Sequence, residues 1–263
     1  MTHLCIDAGN TNIVFAVAEG ETIKQNFRIT TQGPRTADEY AAWLLPLMQL
    51  EGLTRADIKA VIISNVVPDT QFHLNQLCKK YFNLEPLIIG DKNLPHDLEI
   101  KIDAPEELGA DRIVNSVAVK KRYKLPVIVV DFGTATTFDV IDAKGAFVGG
   151  VIAPGVNLSL QALSQAAAKL PRIAIAKPPA VIGTRTVPAM QSGIFWGYVG
   201  LIEGIAARIQ QQLGQNATLL ATGGLASLFA GAVKNMEKVD SNLTILGIND
   251  IYLNYLKHQR KVA

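Results

Sequence analysis

Cysteine, net charge and long apolar runs are all scarce in this 263-residue chain, and each scarcity removes a class of function. There are two cysteines, Cys5 and Cys78, and their spacing fits neither a disulfide framework nor a metal-ligand motif. Both fall in apolar surroundings and read as small core fillers. The formal charge is +2, from 25 basic and 23 acidic residues, with no block of five like charges. The densest basic stretches, Lys120-Lys121-Arg122 and Lys257 to Lys261, read as a helix end and a solvated terminus. No nucleic-acid footprint follows from such a balance. No apolar run reaches the ~18 residues of a membrane span. The first residues form a strand rather than a basic segment followed by an apolar one, so no signal peptide is read. The expectation is a cytoplasmic protein with no membrane and no nucleic-acid partner. With 49% hydrophobic residues, the chain has material for one or two well-packed domains.

What the chain does have is a repeated turn. In Leu125 to Thr137 (LPVIVVDFGTATT), four β-branched residues, Val127 to Val130, make a buried strand that stops at Asp131. Phe132 and Gly133 turn the chain, and the hydroxyls of Thr134, Thr136 and Thr137 follow. A carboxylate at a strand end, with a glycine turn and hydroxyls beyond it, suits a cation or a phosphate. Leu4-Cys5-Ile6-Asp7-Ala8-Gly9-Asn10-Thr11-Asn12 repeats this grammar nearly half the chain earlier. Each acid leads into two more strands: Ile13 to Ala18 and Thr22 to Ile29 after Asp7, Phe138 to Ile141 and Ala146 to Ile152 after Asp131. A repeat on this scale predicts two related lobes, and two such turns face to face would grip a nucleotide's phosphates. The lobes are expected at residues 1–120 and 121–263.

The remaining pattern supplies the helices. Thr36-Ala37-Asp38-Glu39 is a capping box, Lys59 to Asn65 is a strand, Pro68 opens a second helix and Leu87 to Ile89 is a strand. Three strands, helix, strand, helix, strand is the order of a ribonuclease-H-like lobe. Pro105-Glu106-Glu107 predicts a helix running through Gly109-Ala110-Asp111-Arg112 to about Tyr123. Gly109 in its first turn is costly unless something needs backbone access there. Gly149 to Gly155 reads as a loop brought close to another group, and Val156 to Lys169 as a helix. A long helix follows Thr186 and carries Gly193, Gly197, Gly200 and Gly204 on one face. That face packs either on the chain's own sheet or on another helix in a dimer. Ala217 to Thr222 is a strand ending in Gly223-Gly224, and Leu243 to Leu256 is an amphipathic closing helix.

Six pieces in order resemble one family: Asp7 to Asn12, Pro105 to Arg112 (PEELGADR), Asp131 to Thr137, Gly149 to Gly155 (GGVIAPG), Leu170-Pro171, and Thr186 to Gly193 (TVPAMQSG). They look like the type III pantothenate kinases of the actin-like and sugar-kinase superfamily. The resemblance implies an α/β fold of two ribonuclease-H-like lobes with the active site in the cleft between them. It implies phosphorylation of pantothenate by ATP, the first step towards coenzyme A. The backbone from Asp7 through Ala8, Gly9, Asn10, Thr11, Asn12 and Ile13 to Val14 would wrap the ATP phosphates, with Asp7 near Mg²⁺. Asp131 would hold the monovalent cation, K⁺ or NH₄⁺, that the family needs, and Thr134 would bond the nucleotide. Asp111 would be the catalytic base, with Gly109, Ala110 and Arg112 as the substrate wall. Thr186 would contribute to pantothenate binding across a homodimer interface. Ile102 stands where the family often has an aromatic residue, which bears on substrate affinity. The alternatives are a kinase for another small hydroxylated substrate and a non-catalytic transcriptional accessory factor. The helix carrying Asp111, with Thr186, favours pantothenate over the first, and the lack of a basic face or helix-turn-helix disfavours the second.

Overall fold

A computed structural model describes residues 1–31, 33, 35–91, 94–166 and 170–262. In chain order the elements are β1 (Thr2–Ala8), β2 (Asn12–Glu19), β3 (Thr22–Thr30), α1 (Ala37–Leu50), β4 (Val61–Asn65), α2 (Pro68–Leu77), β5 (Leu87–Ile88), α3 (Ala110–Arg122), β6 (Val127–Phe132), β7 (Ala135–Ile141), β8 (Phe147–Pro154), α4 (Val156–Ala166), α5 (Thr186–Leu213), β9 (Thr218–Gly223), α6 (Ala226–Phe229), β10 (Met236–Val239) and α7 (Leu243–Val262). They form two compact units, each around a five-stranded sheet.

The two sheets are wound alike, in the orders β3-β2-β1-β4-β5 and β8-β7-β6-β9-β10. In each, the first three strands form an antiparallel meander and the last two run parallel to the first. This is the repeat anticipated from the Asp7 and Asp131 turns. Parallel neighbours need crossovers, supplied by α1 before β4 and α2 before β5 in the first unit, and by α4 with α5 before β9 and α6 before β10 in the second.

Alternation places the cores. In the first unit Leu4 and Ile6, Ile13 and Phe15, and Val61 and Ile63 point to one face of the sheet. There they pack with Tyr40, Leu44 and Met48 of α1 and Leu74 and Leu77 of α2. The capping box forms as expected: the Glu39 N–H donates to Thr36 Oγ1 (3.3 Å) and the Thr36 N–H to Glu39 Oε2 (2.7 Å). In the second unit Phe132, Phe195 and Phe229 stack, with centroids 5.1 and 5.2 Å from Phe229, joining β6, α5 and α6. Helix α4 is described to Ala166, and the rest of the expected helix, to Lys169, lies outside the described residues.

The division is not a single cut at residue 120. Glu99–Ile102 groups with the second unit, and the segment from Asn242 onward returns to the first. Glu99–Ile102 clips onto β8, with the Lys101 N–H donating to the Phe147 carbonyl and the Phe147 N–H to the Glu99 carbonyl, both at 2.8 Å. The return of α7 has three causes. A Cβ on Gly247 would overlap the Val114 carbonyl, so only glycine lets α7 come this close to α3. Asp250, buried, accepts from Lys121 (2.9 Å) and from Arg122. Asn249 Oδ1 accepts from buried His3 on β1 (2.6 Å), while its amide donates to the Gly20 carbonyl (3.0 Å). Amphipathic periodicity predicts the helix but carries no information about which sheet it covers. Gly247→Ala is expected to lower stability by about 1–3 kcal/mol through this overlap, read as a lower thermal midpoint. A midpoint equal to wild type would mean that α7 does not approach α3 this closely.

Candidate active site

In the first unit the Asp7 turn is held by its own backbone. The Gly9 N–H donates to the Asn12 carbonyl (3.0 Å), the Thr31 N–H to the Thr11 carbonyl (3.0 Å) and Thr31 Oγ1 to the Gly9 carbonyl (2.7 Å). Asn10 and Thr11 are exposed at its tip. Ala8 and Ile13 are buried and pair with each other, and Asp7 pairs with Val14. Ile13 and Val14 also pair with Ile29 and Arg28 on the far side. The ladder therefore positions the turn through Ile13 and Val14, and the open part of the loop is Gly9 to Asn12.

The expected helix from Pro105 is two pieces. Pro105–Glu107 is a single 3₁₀ turn, Leu108 is extended (ψ 116°), and α3 starts at Ala110. The break puts Asp111 in the first turn of α3, beside the helix's positive end. Gly109 then has a definite reason: a Cβ there would stand 2.6 Å from Asp111 Oδ1. The carboxylate fills the space that a side chain at 109 would take. The Arg112 N–H donates to the same oxygen at 2.8 Å. Burial pushes the Asp111 carboxyl above its ordinary range, while the Arg112 N–H and the guanidinium charge pull against it. A carboxylate made more basic by burial and held over a glycine is equipped to take a proton.

The second unit repeats the device. Asp131, next to last in β6, lies between Thr137 of β7 and Thr222 of β9, its register partners. Gly223 has φ +90°, and a Cβ on it would fall on the Asp131 carboxylate. In the Gly-Gly after β9, Gly223 makes room for Asp131. The stretch Gly149 to Pro154 lies within β8 rather than in a loop. Only Gly155 follows the strand, and a Cβ there would overlap the Thr134 carbonyl, so the close approach expected of this segment is to the Thr134 turn. Ile102 lies beside Gly149, its Cγ2 being 4.0 Å from where a Cβ would be. Thr186 is the first residue of α5 and is exposed. Asp7, Gly109, Ala110, Asp111 and Arg112 thus belong to the first unit, and Ile102, Asp131, Thr134 and Thr186 to the second.

A family model described as type III pantothenate kinase matches residues 3–208, well over half of the chain. The chain belongs to the type III pantothenate kinase family. Relatives carrying that name extend the likeness to the whole length. One from Paramagnetospirillum magneticum is 57% identical over 95% of this chain and 96% of its own. One from Caulobacter vibrioides is 52% identical over 96% and 97%, and one from Rhodospirillum centenum is 50% identical over 99% of both. Among solved structures, a Campylobacter jejuni protein named for the Baf family of transcriptional activators superposes with a TM-score of 0.63. It is 21% identical and covers 97% of this chain and 99% of its own. The activator of 2-hydroxyisocaproyl-CoA dehydratase from Clostridium difficile, solved with ADPNP, gives 0.56 at 14% identity, covering 100% and 98%. At these identities the two structures speak for the fold alone. No helix among the described residues is long and apolar enough to cross a membrane.

Among the described residues no group of three or more His, Cys, Asp or Glu side chains is placed to hold an ion. Mg²⁺ is commonly held by one or two carboxylates together with substrate phosphates and water, so the single Asp7 fits it. Near the end of β6, Asp131, Thr137 and Thr222 stand in register on three adjacent strands, oxygen donors of the kind a hard cation takes. Sequence reading missed Ser64, which pairs in register with Asp7 on β4. The serine at the end of an otherwise β-branched run was the available signal.

Proposed function

We propose that this chain transfers the γ-phosphoryl group of ATP to the hydroxyl of pantothenate, giving 4'-phosphopantothenate, the entry to coenzyme A. Full-length likeness to proteins of that name supports the substrate. The observation that carries the chemistry is the half-buried Asp111 carboxylate over Gly109 at the start of α3. In this reading Asp111 accepts the proton of the attacking hydroxyl, and Arg112 and the Gly109-Ala110 backbone orient the substrate. The Gly9 to Asn12 turn takes the phosphates and Asp7 holds their Mg²⁺, which neutralises charge on them. Asp131 holds K⁺ or NH₄⁺, Thr134 bonds the nucleotide, and Ile102 packs on the substrate's apolar carbons. Phosphoryl transfer asks chiefly for such positioning and neutralisation. The test is ATP- and K⁺-dependent conversion of pantothenate by the pure protein, read by mass spectrometry. Absence of a product heavier by one phosphoryl group would reject the reading.

The working form is a homodimer built on the glycine face of α5, with Thr186 completing the substrate site across it. Helix α5 turns Phe195, Tyr198, Val199 and Ile202 into its own core. A Cβ at Gly193, Gly197 or Gly200 would meet nothing within 4 Å among the described residues, so these glycines do not serve packing on the chain's own sheet. An isologous contact through this face would let two helices approach closely. Gly197→Leu is therefore expected to leave the subunit folded and to cost the dimer about 1–3 kcal/mol through overpacking. Sedimentation equilibrium should show a shift towards monomer, with pantothenate affinity falling more than ATP affinity. A fully dimeric variant with normal pantothenate affinity would place the dimer contact elsewhere.

A further inference from the structure

Ser64 is fully buried on β4, and its hydroxyl has no hydrogen-bond partner among the described residues. An unpaired buried hydroxyl burdens the folded state and calls for a reason. The residues that follow it in the chain are paired. Asn65 Oδ1 accepts from the Val67 N–H (2.7 Å), its amide donates to Gln71 (2.8 Å), and the Val66 N–H donates to the Ala8 carbonyl (3.0 Å). Register gives the direction of the side chain. Ser64 pairs with Asp7 across the parallel β1/β4 ladder, so the two side chains leave the same face of the sheet. It is the face away from the α1 and α2 core, because Ile6, Ala8 and Ile63 point into that core. Gly109, which holds Asp111, lies over the end of β4, 3.9 Å from Val66 Cγ1 by its Cβ position. The second unit repeats the arrangement independently, with buried Thr222 on β9 in parallel register with Asp131. Each acid thus has a hydroxyl residue beside it on the adjoining strand.

We propose that Ser64 is a positioning residue for Asp7: when a nucleotide and Mg²⁺ bind at the Asp7 turn, its hydroxyl donates to the Asp7 carboxylate and holds it towards the phosphates. The inference rests on the nucleotide-binding reading above and adds the residue that orients its acid. A hydroxyl without a partner before binding and with one afterwards places its stabilisation in the complex rather than in the free fold. That separates it from an ordinary core serine.

The test compares wild type with Ser64→Ala and with the near-isosteric Ser64→Cys, a much weaker donor. Thermal midpoints are measured, and calorimetry measures ADP binding with Mg²⁺ and with EDTA. Both variants are expected to melt at or above wild type, since an unsatisfied group is removed or weakened. Both are expected to bind Mg-ADP about tenfold more weakly, the loss of one hydrogen bond to a charged group, with metal-free ADP binding unchanged. Equal weakening with and without Mg²⁺ accompanied by a lower midpoint would make Ser64 structural and overturn the inference. So would unchanged affinity in both conditions. If wild type itself binds ADP in neither condition, the nucleotide reading fails first and takes the inference with it. If wild type binds and only the Ser64 variants behave as wild type, the inference fails alone.

Discussion

Asp111→Asn is expected to lower kcat by roughly 10²-fold or more while ATP still binds, because the amide keeps the shape and cannot accept the proton. Asn Oδ1 can still take the Arg112 N–H, so the start of α3 should be undisturbed. Two further measurements separate a base from a binding residue. The acid limb of the wild-type rate profile should lie above the ordinary carboxylate range, since burial raises the Asp111 carboxyl. Activity falls as pH drops through that raised value, where the base becomes protonated. Stability should move the other way. A carboxyl titrating higher in the folded than in the unfolded chain stabilises most below its unfolded value, and that contribution is lost as pH rises through the folded value. At neutral pH the wild type holds a partly desolvated charge that the amide lacks. The variant should therefore melt higher than wild type at neutral pH, with the gap closing in acid. A variant with near-wild-type turnover would remove Asp111 from the mechanism. A variant that melts lower at neutral pH would show that this charge is compensated within the fold.

Asp131→Ala is expected to abolish activation by K⁺ or NH₄⁺, leaving the same rate with and without the cation. A hard cation needs oxygen ligands, and the carboxylate is the charged one near the end of β6 between Thr137 and Thr222. Gly223→Ala tests the same site without touching the acid. A Cβ there would fall on the carboxylate, and φ +90° already disfavours any side chain. It should raise the cation concentration needed for half-activation. A wild-type protein indifferent to monovalent cations would end the assignment of Asp131 as their ligand.

Most of the scaffold could be read in advance because each lobe announces itself locally. A buried strand, an acid and a glycine, followed by two more strands, appear at Asp7 and again at Asp131, and the two sheets have the same strand order. The Thr36 capping box and Pro68 at the start of α2 are local signals too, and both form. What escaped depends on contacts distant in sequence or on a single backbone angle. Pro105-Glu106-Glu107 carries every mark of a helix start, yet extended Leu108 interrupts it, and the Asp111 carboxylate occupies the space above Gly109. Gly149 to Pro154 looks like a loop by composition but is a strand, because pairing with β7 outweighs the low strand preference of its glycines. Ser64 acquires significance only from its register partner, which nothing near it in sequence reveals.

The return of α7 has a consequence for how the molecule is made. The second unit is nearly one continuous stretch, Tyr123–Ser241, joined by Glu99–Ile102, whereas the first is assembled from both ends of the chain. Emerging from the ribosome, the Asp7 turn and the Asp111 helix come early, but α3 meets the helix whose Gly247 fits against it only after the second unit has been synthesised. The usual order, in which the N-terminal domain folds first, is then reversed for the last step. The half that carries the proposed base closes last, and the half that carries the proposed cation site has all of its sequence before it.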